Sequence, residues 1–396
     1  VRAFVLILGV ALGTAFGTAV TPGQDVTGGN PYGKWKNGPS SDPGFFPIAV
    51  WLQHFSRVEK YRAIGINLYV GLWKGPTEAQ LRALKKARMK VICAQNAVGL
   101  KHRQESTIVG WMHGDEPDNA RWLGKGKGYG PPVKPATIVA DYEKLKANDP
   151  TRPVMLNLGQ GVAWDGWRGR GVRTNHPEDY PDYVNGCDIV SFDIYPACHA
   201  RPEVAGKLWY VPKGVARLRE WTKRRKPVWC CIECTHINNP KAKATPKQVK
   251  AEVWMAITHG AQGLIYFSHQ FKPKFIEAGL LADRDMARAV GRINREIHDL
   301  APVINTPTLA EGARLVNRKQ VPVHTMVKRP KQGGATYVFA VAMRPGEWEA
   351  TFKVKGISGR AKVTVLGENR VLRVRGDTFK DRFADWDVHL YKIERK

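Results

Sequence analysis

Eight short apolar runs recur along the chain, at residues 45–53, 66–73, 89–96, 107–116, 154–158, 187–195, 228–233 and 263–267. They are continuous rather than alternating, which predicts strands buried on both faces, as in a parallel sheet. Parallel neighbours need a crossover, usually a helix, and the intervening segments supply it. Phe55, Val58, Tyr61 and Ile64 mark a helix face that Gly65 ends. Thr77-x-x-Gln80 reads as a capping box ahead of Leu81 and Leu84. Thr245-Pro246-x-Gln248 likewise starts a helix carrying Val249, Val253, Trp254 and Ile257. Further faces are Ile138, Val139, Tyr142 and Leu145, then Met286, Val290, Ile293, Ile297 and Leu300. Eight such units in about 250 residues make an α/β fold that closes into a (β/α)8 TIM barrel rather than an open sheet.

The flanks differ in texture. Arg2, an apolar run and small residues ending in Gly17-Thr18-Ala19 predict a signal peptide over residues 1–19, and so a secreted or periplasmic location. Gly9, Gly13 and Gly17 interrupt that run, and nothing later reaches the roughly 18 apolar residues of a membrane span. Residues 20–44, rich in Gly, Pro, Ser and Asn, read as an extended arm, with the barrel over 45–304. Short strand-like runs at 336–342, 350–354, 361–365 and 388–393 then alternate with Gly, Pro and Asn turns. They predict a small C-terminal antiparallel β-sandwich over 305–396 whose role is to pack against the barrel.

The net charge is +27, spread along the chain without a nucleic-acid-binding module. For an exported chain the fitting partner is a polysaccharide or oligosaccharide, sulfated and uronate-containing glycans included, or an anionic cell surface. A basic surface that serves solubility accounts for the charge equally well. Cys93, Cys230 and Cys231 lie in apolar runs as buried thiols, whereas Cys187 and Cys198 bracket one strand and are the pair best placed for a disulfide. Cys231-x-x-Cys234 has no second pair of ligands at zinc spacing, so no metal or other cofactor is expected.

Two of the runs end in glutamate, in Gly114-Asp115-Glu116-Pro117 and in Cys230-Cys231-Ile232-Glu233. A TIM barrel gathers the carboxyl ends of its strands on one face, so these distant glutamates become neighbours there. A pair of carboxyl groups is what cleavage of a glycosidic bond requires. The pattern resembles the retaining, clan A-like glycoside hydrolases of the (β/α)8-barrel superfamily, which place an acid/base glutamate after strand four and a nucleophilic glutamate after strand seven. The resemblance covers residues 45–300, and the β-domain ending in Trp386-Asp-Val-His-Leu-Tyr391 is similar to the accessory domain of several such enzymes. It implies an exported retaining β-glycoside hydrolase with Glu116 as acid/base and Glu233 as nucleophile. It also implies that Tyr195 hydrogen-bonds the nucleophile. Asp115 stands where the family has an asparagine that contacts the sugar 2-hydroxyl, and an aspartate accepts that bond without donating an amide hydrogen.

An acid must hold its proton, so Glu116 needs apolar surroundings and a carboxylate neighbour, and Trp111 and Met112 fit the first need. Trp164 and Trp167, in a Gly/Arg-rich loop after the fifth strand, are expected to stack on sugar rings, with Trp51, Trp73 and Phe267 as further candidates. His113 and His269 are candidate contacts to sugar hydroxyls. Arg168, Arg170, Arg173 and His176 are candidates for sulfate or carboxylate groups, with Arg168 or Arg170 expected to face the cleft. Two other classes fit the same chain: a non-catalytic carbohydrate-binding barrel and a basic cell-wall-associated scaffold.

Overall fold

A computed structural model describes residues 30–318 and 321–394; the signal-peptide segment lies outside them. The eight apolar runs form parallel strands β1 (Ile48–Trp51), β2 (Leu68–Val70), β3 (Lys90–Cys93), β4 (Ile108–Met112), β5 (Val154–Leu158), β6 (Ile189–Phe192), β7 (Trp229–Glu233) and β8 (Gly263–Phe267). Their order is β6-β5-β4-β3-β2-β1-β8-β7, and a parallel bridge from Val190 to Val228 closes β6 on β7. The result is the expected TIM barrel.

Around it run α1 (Val58–Ala63), α2 (Glu78–Lys86), α3 (Ala97–Lys101), α4 (Pro135–Asn148), α5 (Tyr180–Tyr183), α6 (Tyr210–Trp221), α7 (Pro246–Thr258), α8 (Gly279–Ala282) and α9 (Arg284–Ile304). Both expected capping boxes form. The Gln80 N–H donates to Thr77 Oγ1 at 3.3 Å and the Thr77 N–H to Gln80 Oε1 at 2.9 Å. Thr245 and Gln248 repeat the exchange at 3.2 and 2.9 Å. Each box satisfies two of the four backbone donors a helix start leaves free.

Side chains alternate between barrel interior and helix layer. Val70, Ile92, Met155, Ile189 and Ile265 fill the interior. Tyr32 and Trp35, from the segment before β1, join this cluster. The Trp229 indole N–H donates to the Tyr32 hydroxyl at 2.8 Å, and that hydroxyl donates to the Gln262 carbonyl at 2.6 Å, at the amino end of the barrel.

Strand β4 breaks the alternation. Val91 pairs with Ile108 but Ile92 with Gly110, a bulge that inserts one residue. A Cβ on Gly110 would lie 3.0 Å from Ile92 Cγ1 and 3.2 Å from the Pro153 carbonyl oxygen, so the close approach suits glycine. The extra residue reverses the parity of the rest of the strand. Trp111 therefore joins the helix-layer core, where its indole N–H donates to Asp149 Oδ2 at 3.0 Å, and it is not part of the surroundings of Glu116.

The C-terminal region is the expected sandwich. A three-stranded sheet, β9 (Ala313–Leu315), β12 (Trp348–Val354) and β15 (Thr378–Phe383), faces a five-stranded one of β10 (Val323–Lys328), β11 (Thr336–Ala342), β16 (Val388–Glu394), β13 (Lys362–Val365) and β14 (Arg370–Leu372). Val338, Phe352, Phe379 and Tyr391 pack between the sheets. The alternate residues Phe339, Val341 and Leu390 turn the other way and join the barrel core. There Phe339 meets Trp254 of α7, ring centroids 5.1 Å apart. A sheet buried on both faces fixes the sandwich to the barrel, each such side chain contributing about 1.5–3 kcal/mol.

Candidate active site

The carboxyl face of the barrel carries two groups of acidic side chains. The first follows β4. Glu116 has φ +43°, a left-handed conformation disfavoured for a residue with a side chain. Its N–H donates to the Asn157 carbonyl at 3.2 Å, which ties the turn to the end of β5. Asn119 Nδ2 donates to Glu116 Oε2 at 2.8 Å, and Trp167 Nε1 donates to Asn119 Oδ1 at 2.8 Å. A Cβ on Gly159 would lie 2.9 Å from Asn119 Oδ1 and 3.1 Å from Glu116 Oε1, so only glycine there leaves these groups in place.

Three more acids surround Glu116. Asp115 accepts from Asn157 Nδ2 at 2.9 Å. Asp118 is fully buried, held by the Gly159 N–H and the Tyr180 hydroxyl, both at 2.9 Å. Asp193, just past β6, lies beside the Glu116 carboxyl, with the Tyr195 hydroxyl and the Asn157 amide close enough to stabilise its charge. Burial and then the Asp193 carboxylate hold the Glu116 carboxyl well above the usual range, which favours its protonated form. Burial, with Asp193, pushes Asp115 up to about 7. An open pocket of about 460 Å³, lined by Asp115, Glu116, Asn119 and Val133 among others, adjoins the group.

The second group follows β7. Glu233 is 0% exposed, and its carboxylate accepts from the backbone N–H of Ala197 at 2.5 Å and of Cys198 at 2.8 Å. Glu252 of α7, equally buried, lies against it. Burial raises both carboxyls; the donors around Glu233 pull it back, whereas Glu252 has the Glu233 charge beside it and is held well above the usual range. Of the two, Glu252 is pushed further toward its neutral form. Tyr195 has Asp193 and Glu116 for its electrostatic neighbours, together with the Cys231 thiol.

The tryptophans of the β5 loop sit beside the first group. Trp164 and Trp167 are half-buried with ring centroids 6.0 Å apart, and Trp164 meets His199 edge-on at 5.5 Å. Trp51 is core, whereas Trp73 is 66% exposed after β2. An aromatic row starts from two residues singled out in the sequence, Tyr195 and Phe267 at 5.1 Å, and adds two that were not, Phe271 at 6.2 Å and Phe275 at a further 5.7 Å. The spacing 267, 271, 275 in a polar loop was its signal. His269 stacks against Phe271 in this row, with Nε2 3.3 Å from Gln53 Nε2.

Other expectations change. His113 is buried and spends Nε2 on the Gly186 carbonyl at 2.8 Å, a structural bond and not a contact offered to a ligand. Arg170 is 1% exposed and does not face the cleft: it donates to the carbonyls of Asp118 and His176 and to Asp179 Oδ2 at 3.3, 2.7 and 2.6 Å. Arg173 also pairs with Asp179, and His176 with Glu178, so the loop neutralises its own charge; Arg168 remains exposed. All six cysteines are buried free thiols, Cys187 and Cys198 included. Among the described residues no cluster of His, Cys, Asp or Glu has metal-binding geometry, and no helix is long and apolar enough to cross a membrane.

No family model and no curated protein matches the chain. Solved structures match its fold. A family 39 glycoside hydrolase from Bacteroides cellulosilyticus superposes with a TM-score of 0.53 at 12% identity, over 91% of this chain and 83% of that one. AmyP, solved in complex with maltose, gives 0.52 at 8% identity, over 89% and 97%. An α-galactosidase/melibiase candidate from Bacteroides fragilis gives 0.52 at 9%, over 89% and 79%. The architecture is thus one that glycoside hydrolases use, and at these identities the likeness concerns the fold alone.

Proposed function

We propose that the chain is a retaining β-glycoside hydrolase that works after export on a polysaccharide or oligosaccharide. Glu116 is the acid/base and Glu233 the nucleophile. The observation that carries this reading is Glu116 itself: a carboxyl in a left-handed turn at the carboxyl face, pushed toward its protonated form by burial and then by Asp193, and braced through Asn119 by Trp167. A protonated acid at neutral pH is what departure of a basic sugar oxygen needs.

In the first step the Glu233 carboxylate attacks the anomeric carbon while the Glu116 proton passes to the leaving oxygen. In the second, Glu116, now ionised, takes a proton from water, which attacks the anomeric carbon and releases Glu233. The Ala197 and Cys198 amides favour the ionised form of Glu233. Asp115 is placed to accept from a sugar hydroxyl, and Trp164, Trp167 and Phe267, with His269 beside the last, offer stacking surfaces. Arg170 and Arg173 are committed within their loop, so preference for a sulfated or uronate glycan falls to Arg168 and the general basic surface.

Release of reducing sugar from neutral, sulfated and uronate-containing glycans, with products identified, tests the reading. The wild type should release sugar from at least one class, and Glu116→Gln and Glu233→Gln should both lose that activity. Binding without release would make the chain a carbohydrate-binding barrel. Release untouched by both substitutions would remove the glutamates from the chemistry.

A further inference from the structure

Asp193 is a buried carboxyl that neither the glutamate motifs nor the proposed two-step chemistry uses. It is 8% exposed, and its Oδ1 is buried with no hydrogen-bond partner. An orphaned carboxylate oxygen inside a protein costs about 1–3 kcal/mol or more, so it calls for a donor. The group beside it is the Glu116 carboxyl, and a proton on Glu116 supplies that donor.

Backbone ties make the pairing rigid. The Asp193 N–H donates to the Leu158 carbonyl at 3.1 Å and the Glu116 N–H to the Asn157 carbonyl at 3.2 Å, so both acids hang from the end of β5. The Ser191 hydroxyl donates to Asn157 Oδ1 at 2.6 Å, which turns the Asn157 amide nitrogen toward the acids. The surroundings are unequal. Burial raises the Asp193 carboxyl as well, but the Glu116 carboxyl, the Tyr195 hydroxyl and the Asn157 amide near it act against that rise and favour a charge. Glu116 has Asp115, Asp118 and Asp193 around it, which disfavour one. The Cys231 thiol faces the group from β7, and Arg170, the cation near Asp118, is turned to the Asp118 carbonyl and to Asp179.

We propose that Asp193 is a positioning residue for Glu116: its carboxylate accepts the hydrogen bond of the protonated Glu116 and keeps the proton on that acid until a glycosidic oxygen takes it. The role rests on the assignment of Glu116 as acid/base. Once the proton has gone to the leaving oxygen, two carboxylates stand side by side, and their repulsion makes Glu116 the stronger base toward the incoming water. Asp193 forms no bond to sugar in either step. One fixed negative charge thus serves Glu116 as acid and then as base.

The test is a pair of titrations on wild type and Asp193→Asn. Carbon-13 NMR of the glutamate δ-carboxyls, with the Glu116 signal assigned by its loss in Glu116→Gln, reports ionisation without any substrate. The alkaline limb of kcat/KM against pH reports it in turnover. With the neighbouring charge replaced by an amide that can donate to ionised Glu116, the Glu116 midpoint should fall by about one pH unit or more, and the alkaline limb should fall with it. Asp193→Glu should recover much of the shift. A Glu116 midpoint that stays in place in folded Asp193→Asn overturns the role. If the NMR midpoint moves but no glycan is cleaved, the dyad stands and the glycosidase reading fails. Should Asp193→Asn not fold, Tyr195→Phe removes a stabilising hydroxyl from Asp193. It should raise the pH at which the pair loses its first proton, and an unchanged first ionisation overturns the proposal.

Discussion

The two acid pairs on the carboxyl face are built from the same chemistry and differ in how they are enclosed. Glu233 and Glu252 are sealed: neither is exposed, and two backbone amides hold Glu233 in one geometry. In the other pair Glu116 lines an open pocket and sits in a left-handed turn, and Asp193 keeps one carboxylate oxygen without a donor. The difference teaches that donors and access, more than residue type, decide what a buried carboxyl can do. The sealed pair suits a carboxylate held in one geometry, as an attacking group needs, and the open pair suits a proton that comes and goes.

The largest expected effect tests the sealed side. Glu233→Gln should reduce turnover on every glycoside by more than the ~10²–10⁴-fold typical of lost acid/base help, because an amide cannot attack in place of the carboxylate. Steady-state rates on natural and activated substrates measure it, and a loss confined to one substrate would move the nucleophile elsewhere. Next comes the open side. Glu116→Gln should cost about 10²–10⁴-fold where the leaving oxygen is basic, and far less in the first step on an aryl glycoside with an acidic phenol. Equal losses on both would argue that Glu116 does not donate the proton.

The third test concerns stability. The folded-state pKa of Glu252 is raised, so its stabilising contribution is fully present below its unfolded value and is lost as pH climbs toward the folded one. Over that window the wild type should lose up to about 1.4 kcal/mol per pH unit from this group, and Glu252→Gln should flatten the slope. Urea titrations across the window read it directly, and parallel slopes would mean that Glu252 is not a neutral partner of Glu233. The smallest effect lies behind the open pair. Trp167→Phe removes the indole N–H that braces Asn119, a bond of about 0.5–1.5 kcal/mol. A severalfold fall in kcat with little change in urea midpoint is expected, and an unchanged kcat would detach the tryptophan from the acid.

The same contrast governs what the sequence could disclose. The runs at 154–158 and 263–267 match β5 and β8 residue for residue, because each is an unbroken apolar segment between turns. Both capping boxes were readable for a similar reason, since each depends only on residues three apart. The β4 bulge was hidden, because no periodicity marks a one-residue insertion, and it sent Trp111 to the wrong face. Arg170 looked like a ligand-facing cation because its partner Asp179 is nine residues away in a loop without periodicity. Asp193 was overlooked within Ser191-Phe192-Asp193-Ile194-Tyr195, although an acid interrupting an apolar strand end was a signal in itself. Gly159 shows its role only once Glu116 and Asn119 are in place around it.

The division of labour between the pairs comes down to which carboxylate bonds to sugar. A set of activated 2-deoxy-2-fluoro glycosides of different sugars, screened by intact mass and then peptide mapping, traps that bond when the second step is slowed. The account predicts one added sugar, carried by Glu233 on the peptide that spans β7, and no adduct in Glu233→Gln. A sugar on Asp193 would contradict it, because the open pair would then hold the nucleophile and the sealed pair would serve only the fold.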